Sequence, residues 1–317
     1  MKDWIQDRYL GALVGLAVGD ALGAPLEGRP PGTFTPLEDL VGGGAHRLEA
    51  GQWTDDTAMA LALADSILEH GRLDESDLIA KFAQWRDEGA WSCTGRCFDI
   101  GITTSAAIDR WQRSGDPFAG SSDPMTAGNG SLMRLAPVAI AFAADPEALR
   151  DAAVRQSLTT HAAPAAVAAC EAYAMLLADV LSGLALDDAL VRLAARAGAI
   201  EVPEIAAIAA GSWRGKRRRD IRSSGYVVHS LEAAIWCVAR SSSFEEAVLT
   251  AANLGDDADT TAAIAGQLAG ALYGASGIPA HWLEKLAWRG RIVSAARGLA
   301  ALHSAQIEVE GQERADV

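Results

Sequence analysis

The chain has 317 residues, half of them hydrophobic, enough apolar material to bury a large core in one domain or two. A formal net charge of −14 argues against a surface that grips nucleic-acid phosphates, since such surfaces are basic. The N-terminal MKDWIQDRYL mixes charges of both signs where a signal peptide needs an apolar run, so a cytoplasmic protein whose four cysteines stay thiols is expected.

Alternating strand patterns are scarce, while alanine- and leucine-rich segments with apolar i, i+3, i+4 spacing recur throughout. The pattern predicts an all-α fold of about 13 helices, at 8–18, 54–70, 75–87, 97–113, 130–143, 146–156, 163–183, 186–197, 203–211, 226–240, 244–253, 257–275 and 280–303. No long linker and no fixed-period repeat divides them. One compact domain over 1–305 is expected, followed by a frayed polar tail over 306–317, and the protein is expected to be a monomer.

In chain order, the first helix carries Gly11, Gly15 and Gly19, and a late one carries Gly266, Gly270 and Gly274. Glycines four apart line one stripe and let another backbone approach closely, which predicts two central helices. After the first helix comes the loop GDALGAPLEGRP, with Glu27. Then GQWTDDTAM places Asp55 and Asp56, flanked by Thr54 and Thr57, at a helix start. The loop WSCTGRCFDIG holds Asp99 together with Cys93 and Cys97, whose C-x3-C spacing lacks a second pair for zinc, so these cysteines read as packing residues. Gly128, Asn129 and Gly130 precede Ser131, and a lone GNG is usually a turn, although it also leaves backbone free to approach a ligand. His161 in TTHAAP and Tyr226 in SSGYVV are each as readily structural as functional, as are Glu27 and Asp99 taken singly. The basic run RGKRRRDIR reads as a solvated loop between helices.

LGDDADTTAAIAG, from residue 254, repeats the acidic helix start with Asp256, Asp257, Asp259 and Thr260. One aspartate suffices for an N-cap, and neighbouring carboxylates about 4 Å apart repel by roughly 4 kcal/mol at an effective dielectric near 20. If the two helix starts meet, Asp55, Asp56, Asp257 and Asp259, with hydroxyls from Thr54 and Thr260, form an all-oxygen set suited to hard divalent ions. Two such ions would balance four carboxylates. The uncharged stretch from Thr260 to Ile278 is long enough to raise the question of a membrane span, but its small and polar residues favour a buried helix.

Taken in order, GALVGLAVGDALGAPLEG, GQWTDDTAMALALADSI, SCTGRCFDIG, GNGSLMRLAPVAI, the TTH element and LGDDADTTAAIAGQLAGALYG resemble the ADP-ribosylglycohydrolase family, over about residues 8–300. The SCTGRCFDIG element looks most like the bacterial ADP-ribosylarginine and dinitrogenase-reductase-activating branch. The resemblance implies a single all-α domain and a metal-dependent hydrolase that frees ADP-ribose from a modified protein, most plausibly from arginine. It implies two divalent cations, Mg²⁺ or Mn²⁺, held by Thr54, Asp55, Asp56, Asp257, Asp259 and Thr260. Glu27 and Asp99 are implied near the scissile bond, and Gly128, Asn129, Gly130, Ser131, His161 and Tyr226 along the ADP-ribose cleft. Asp256 falls where relatives often have glycine, and is expected to act as a cap or a supporting group. Three alternatives stand beside this reading: a hydrolase of serine-linked or O-acetyl-ADP-ribose, a silent ADP-ribose binder, and an all-α nucleotide pyrophosphohydrolase. The E-x-x-E or E-x-x-D pairs usual in the last are absent from both clusters.

Overall fold

The computed structural model describes residues 3–315, with side chains described through residue 302. Fourteen α-helices occur among the described residues: α1 Asp3–Gly23, α2 Asp55–His70, α3 Glu75–Glu88, α4 Ile102–Ser114, α5 Ala136–Phe142, α6 Pro146–Leu158, α7 Pro164–Leu181, α8 Leu186–Arg196, α9 Pro203–Ala209, α10 Val227–Ala239, α11 Phe244–Ala252, α12 Ala258–Tyr273, α13 Ala280–Lys285 and α14 Arg289–Ala315. The described residues contain no strand, only four isolated bridges between loops. Over 306–315 the backbone of the predicted tail continues α14 in place of the expected frayed end, and its side chains lie outside the described ones.

The most extensive helix pairing is α1 against α12, and both helices are buried nearly all round. The glycine stripes explain the pairing. A Cβ at Gly11 would lie 2.2 Å from the Gly270 carbonyl oxygen, and one at Gly15 would lie 2.4 Å from that of Gly266. On α1 the stripe extends one turn beyond the three-glycine reading, because Gly23 faces Ala258 as Gly19 faces Ala262. The backbones are therefore in direct contact, and the dispersion gained offsets the helix propensity each glycine gives up, about 1 kcal/mol apiece. Around this pair α2, α5, α7, α10, α11 and α14 complete the core.

Four predicted helices change their bounds: the predicted 8–18 helix runs longer, Asp3–Gly23, and three others start late or break. The predicted 97–113 helix starts only at Ile102, because Asp99 has φ +61° and breaks the helical path. The predicted 130–143 helix starts at Ala136, where Pro137 is tolerated only in a first turn. The predicted 280–303 helix is split at Leu286–Trp288, where Trp288 has φ +56° and the Ala287 N–H donates to the Gly51 carbonyl at 2.9 Å. That break docks on the loop leading to Thr54: Trp53 is fully buried and donates from Nε1 to the Ala287 carbonyl at 3.1 Å.

Asp3–Leu26 and Pro164–Leu181 are long and apolar enough to cross a membrane, yet 89% and 67% of their most apolar windows are buried inside the fold. The Thr260–Tyr273 stretch is likewise buried as part of α12. The basic run lies in the loop between α9 and α10, where Lys216 pairs with Glu232 at 2.6 Å and Arg217 with Asp220 at 3.3 Å, as a solvated loop would.

Candidate functional site

The ends of the central pair and the start of α2 converge. Asp20, near the C-terminus of α1, is fully buried and accepts the Thr54 N–H at 2.9 Å, the Thr57 N–H at 3.0 Å and the Thr57 hydroxyl at 2.6 Å. It thereby caps α2 from another helix, satisfying amides that an N-cap side chain usually takes. Thr54, the N-cap residue, makes no side-chain cap bond; its hydroxyl lies 3.0 Å from Asp20 Oδ1 and 3.2 Å from Asp56 Oδ2. Asp55 and Asp56 are thus released from capping.

The same holds at α12. Asp257 is the N-cap residue, but its carboxylate accepts from Asn129 Nδ2 at 2.6 Å instead of capping. Asp256, expected to cap or support, does neither through its side chain. It is exposed, has φ +51°, and exchanges backbone hydrogen bonds with the Gly28–Arg29 segment at 2.7 and 2.8 Å. Its left-handed conformation suits glycine, and it clips the loop carrying Glu27 to the start of α12.

The two acidic clusters, about 200 residues apart in sequence, meet: Thr260 Oγ1 donates to Asp56 Oδ2 at 3.3 Å, and carboxylate oxygens of Asp20, Asp56 and Asp259 all lie within 4.8 Å of one another. Burial is the first cause pushing the Asp55, Asp56 and Asp259 carboxyls well above the ordinary carboxylate range; repulsion from neighbouring carboxylates adds to it. Asp56 Oδ1 and Asp259 Oδ1 are buried without any hydrogen-bond partner. Asp20, by contrast, has both oxygens occupied by donors. Unpartnered buried carboxylate oxygens beside two hydroxyls, with no nitrogen or sulfur among them, fit a hard cation.

Above this cluster opens a cavity of about 280 Å³. Asp55, Asp257, Asp259 and Thr260 form its floor, and Glu27, Asp99, Gly128, Asn129, Gly130 and His161 are among its walls. Close approach favours glycine at 130, where a Cβ would stand 2.7 Å from His161 Cε1, and less strongly at 128, where one would stand 3.2 Å from Nε2. Behind them lies a buried chain that sequence reading missed. Arg134, fully buried over the Phe82 ring, donates to Thr160 Oγ1 at 2.9 Å, and that hydroxyl sits 2.9 Å from His161 Nδ1. While accepting from Arg134 the hydroxyl still has its own proton to give to Nδ1, and in that arrangement the ring proton sits on Nε2. Burial, with the nearby Arg134 charge, pushes the His161 pKa down to about 3, so the ring is a neutral donor.

Two expected cleft residues stand elsewhere. Ser131 is fully buried behind the cavity wall, its hydroxyl 2.8 Å from that of Ser157 and 3.4 Å from Cys170 Sγ, because Gly130 turns the chain inward there. Tyr226 stands outside the cavity lining as a 37% exposed ring, edge-on to His229, while its backbone bridges to Gly128. Cys93 and Cys97 are free thiols that burial pushes up to about 11, in keeping with packing residues.

His46 joins Glu27 and Asp99, two of the residues that line the cavity. Its Nε2 lies 3.1 Å from Glu27 Oε2 and 3.4 Å from Asp99 Oδ1. Burial first, then Glu27, raises Asp99 to about 8, so it keeps a proton at neutral pH. His46 had no sequence signal beyond its glycine-rich setting, GGGAHR. Asp20 had one, its place at the end of the glycine stripe.

The model of the ADP-ribosylglycohydrolase family matches residues 1–308. The chain belongs to this family. Among related ADP-ribosylglycohydrolases, the ADP-ribosylarginine hydrolase Tri1 of Pseudomonas putida (strain GB-1) is 47% identical over 293 residues, covering 92% of this chain and 78% of the relative. The ADP-ribosyl-(dinitrogen reductase) glycohydrolase of Rhodospirillum rubrum is 35% identical, covering 89% and 91%. A solved chain described as "ADP-ribosylglycohydrolase-related protein complex" superposes with a TM-score of 0.84 at 41% identity, covering 94% of this chain and 98% of that chain. The all-α fold expected of an ADP-ribosylglycohydrolase is the fold observed.

Proposed function

We propose that this ADP-ribosylglycohydrolase is divalent-metal-dependent and releases ADP-ribose from modified arginine in proteins. The observation that carries the reading is the pair of unpartnered buried oxygens, Asp259 Oδ1 and the neighbouring Asp56 Oδ1, the first of them on a residue that lines a cavity also lined by a protonated carboxyl. Two Mg²⁺ or Mn²⁺ ions held by Thr54, Asp55, Asp56, Asp257, Asp259 and Thr260 would supply charge compensation and Lewis acidity toward the sugar hydroxyls. Relatives named as ADP-ribosylarginine hydrolases at 43–47% identity support the arginine linkage.

The remaining chemistry belongs to this chain's own groups. Hydrolysis of a glycosidic C–N bond develops positive charge at the sugar carbon and needs a proton for the leaving nitrogen. Asp99 carries a proton at neutral pH and stands at the cavity wall, where Glu27 joins it in handling protons. His161 and the backbone at Gly128–Gly130 line the cavity where they would orient the ADP-ribose. A carboxylate beside a carboxylic acid at the cavity wall suits a guanidinium leaving group, which carries positive charge, better than a neutral hydroxyl.

The test is incubation of arginine- and serine-ADP-ribosylated proteins with Mg²⁺, Mn²⁺ or EDTA while free ADP-ribose is followed. Release from arginine that EDTA suppresses is expected. Release of AMP in place of ADP-ribose would move the chain to pyrophosphate chemistry, release only from serine would reassign the linkage, and no release at all would end the hydrolase reading. Assay of Glu27→Gln and Asp99→Asn tests the proton roles, and undiminished turnover in either variant removes that residue from the scheme.

A further inference from the structure

We propose that His46 is a positioning residue whose Nε2–H holds Glu27 against Asp99 and so leaves the proton of that pair on Asp99. The proposal rests on the reading of Glu27 and Asp99 as the proton-handling pair. The three groups come from three separate loops: Glu27 follows the 3-10 turn Ala24–Leu26, His46 lies in GGGAHR, and Asp99 precedes α4. Their ligand atoms lie within 4.8 Å of one another.

An imidazole nitrogen has one N–H to give, and the distances say where it goes: 3.1 Å to Glu27 Oε2, a hydrogen bond, against 3.4 Å to Asp99 Oδ1. The ring is held from two sides. Phe98 packs on it at 5.0 Å between centroids. The loop behind it closes through reciprocal Gly43–Leu48 backbone bonds of 2.7 and 2.9 Å, and at Gly44 (φ +73°) a Cβ would lie 2.6 Å from the Ala24 carbonyl oxygen. That loop is therefore pressed against the turn that carries Glu27, and His46 and Glu27 are positioned as one unit.

Two carboxyl groups this close do not both ionise readily, and a donor on one favours its charged form. Asp99 is also the more covered, with 17% of its side chain exposed against 26% for Glu27, and cover favours the neutral form there. The division of labour follows. As the C–N bond breaks, Asp99 gives its proton to the leaving guanidine nitrogen; as water's oxygen bonds to the sugar carbon, ionised Glu27 takes the water's proton.

The test compares His46→Phe, which keeps the ring packing without the donor, with His46→Gln, whose amide nitrogen reaches the place of Nε2. Wild-type turnover of each linkage reports separately on the proposed function; the ranking of the variants, measured on whichever linkage the wild type cleaves, reports on His46. For His46→Phe, kcat is expected to fall about 10²-fold, the scale of a misplaced reacting group, with KM and the Kd for free ADP-ribose within about twofold of wild type. His46→Gln should recover most of that loss. Should His46→Phe not fold, His46→Asn carries the same comparison, because its shorter amide stops short of Glu27. The proposal is overturned if the donor-less variant keeps wild-type kcat, if Gln falls as far as Phe, or if ADP-ribose affinity drops in step with kcat.

Discussion

Replacing Gly19 by alanine tests the helix contact on which the site is built. A Cβ there would meet Ala262 O at 2.1 Å, Ala262 C at 2.6 Å and Ala263 N at 3.0 Å. All three are α12 backbone, so no side chain can give way, and α1 and α12 must part by about an ångström to restore ordinary contact. Alanine alone would favour the helix by about 1 kcal/mol, whereas overpacking a close contact costs about 1–3 kcal/mol or more and loosens the neighbouring Gly15 and Gly23 contacts. A net loss of about 1–2 kcal/mol is expected, equivalent to a Tm drop of roughly 2–3 °C for a chain of this length. The next residue, Asp20, holds Thr54 and Thr57 through bonds of 2.6–3.1 Å, and Asp259 lies in the first turn of α12. Separation therefore pulls the two acidic clusters apart, and ADP-ribose release should fall about 10²-fold. Urea unfolding followed by circular dichroism, with an ADP-ribose release assay, measures both effects. Gly290→Ala, where a Cβ meets nothing within 4 Å, is the control and should be neutral or slightly stabilising. A Gly19→Ala protein as stable and as active as wild type would refute the reasoning.

Asp259→Asn removes one of several buried like charges, so melting without divalent ions should rise, by about 0.5–2 kcal/mol, while turnover is lost. In the wild type, Mg²⁺ or Mn²⁺ at 100 times Kd should stabilise by about 2.7 kcal/mol; a melting curve indifferent to both ions would count against the metal assignment. Asp20→Asn keeps the shape but turns one acceptor into a donor facing N–H and O–H groups of Thr54 and Thr57; urea midpoints should register a loss of about 1–3 kcal/mol, and unchanged midpoints would show that the cap is dispensable. For His161 the folded pKa of about 3 lies below the unfolded value near 6.5, so its contribution to stability is complete above about pH 6.5 and is lost as pH falls toward 3. Relative to His161→Gln, the wild type should therefore lose stability more steeply between pH 6.5 and 4, by up to roughly 1.4 kcal/mol per pH unit; parallel pH profiles would contradict a buried neutral imidazole.

Much of the site was legible because the clues were local. Three aspartates at one helix start exceed what a cap requires, and a second acidic start, TDDT, made a shared cation site the economical reading; Asp56 and Asp259 do converge. What sequence could not show was who caps α2. That group is Asp20, 34 residues upstream of Thr54 and on another helix. Asp256 was misread for a related reason: position next to a helix start suggests a cap, but its φ of +51° turns it into a backbone clip for the Glu27 loop. Ser131 was misplaced because the GNG turn buries whatever follows it, and His46 was missed because nothing in its neighbours announces two carboxylates.

Periodicity, glycine spacing and clustered charge are properties of a few turns of chain. They were sufficient for the helical class, the paired central helices and the acidic helix starts. Three further features arose only on folding: the break at Leu286–Trp288, the capping of α2 by Asp20, and the meeting of His46 with Glu27 and Asp99. Each depends on a contact between segments far apart in sequence, and hydrogen bonds of 3 Å leave no trace in the residues that flank either end.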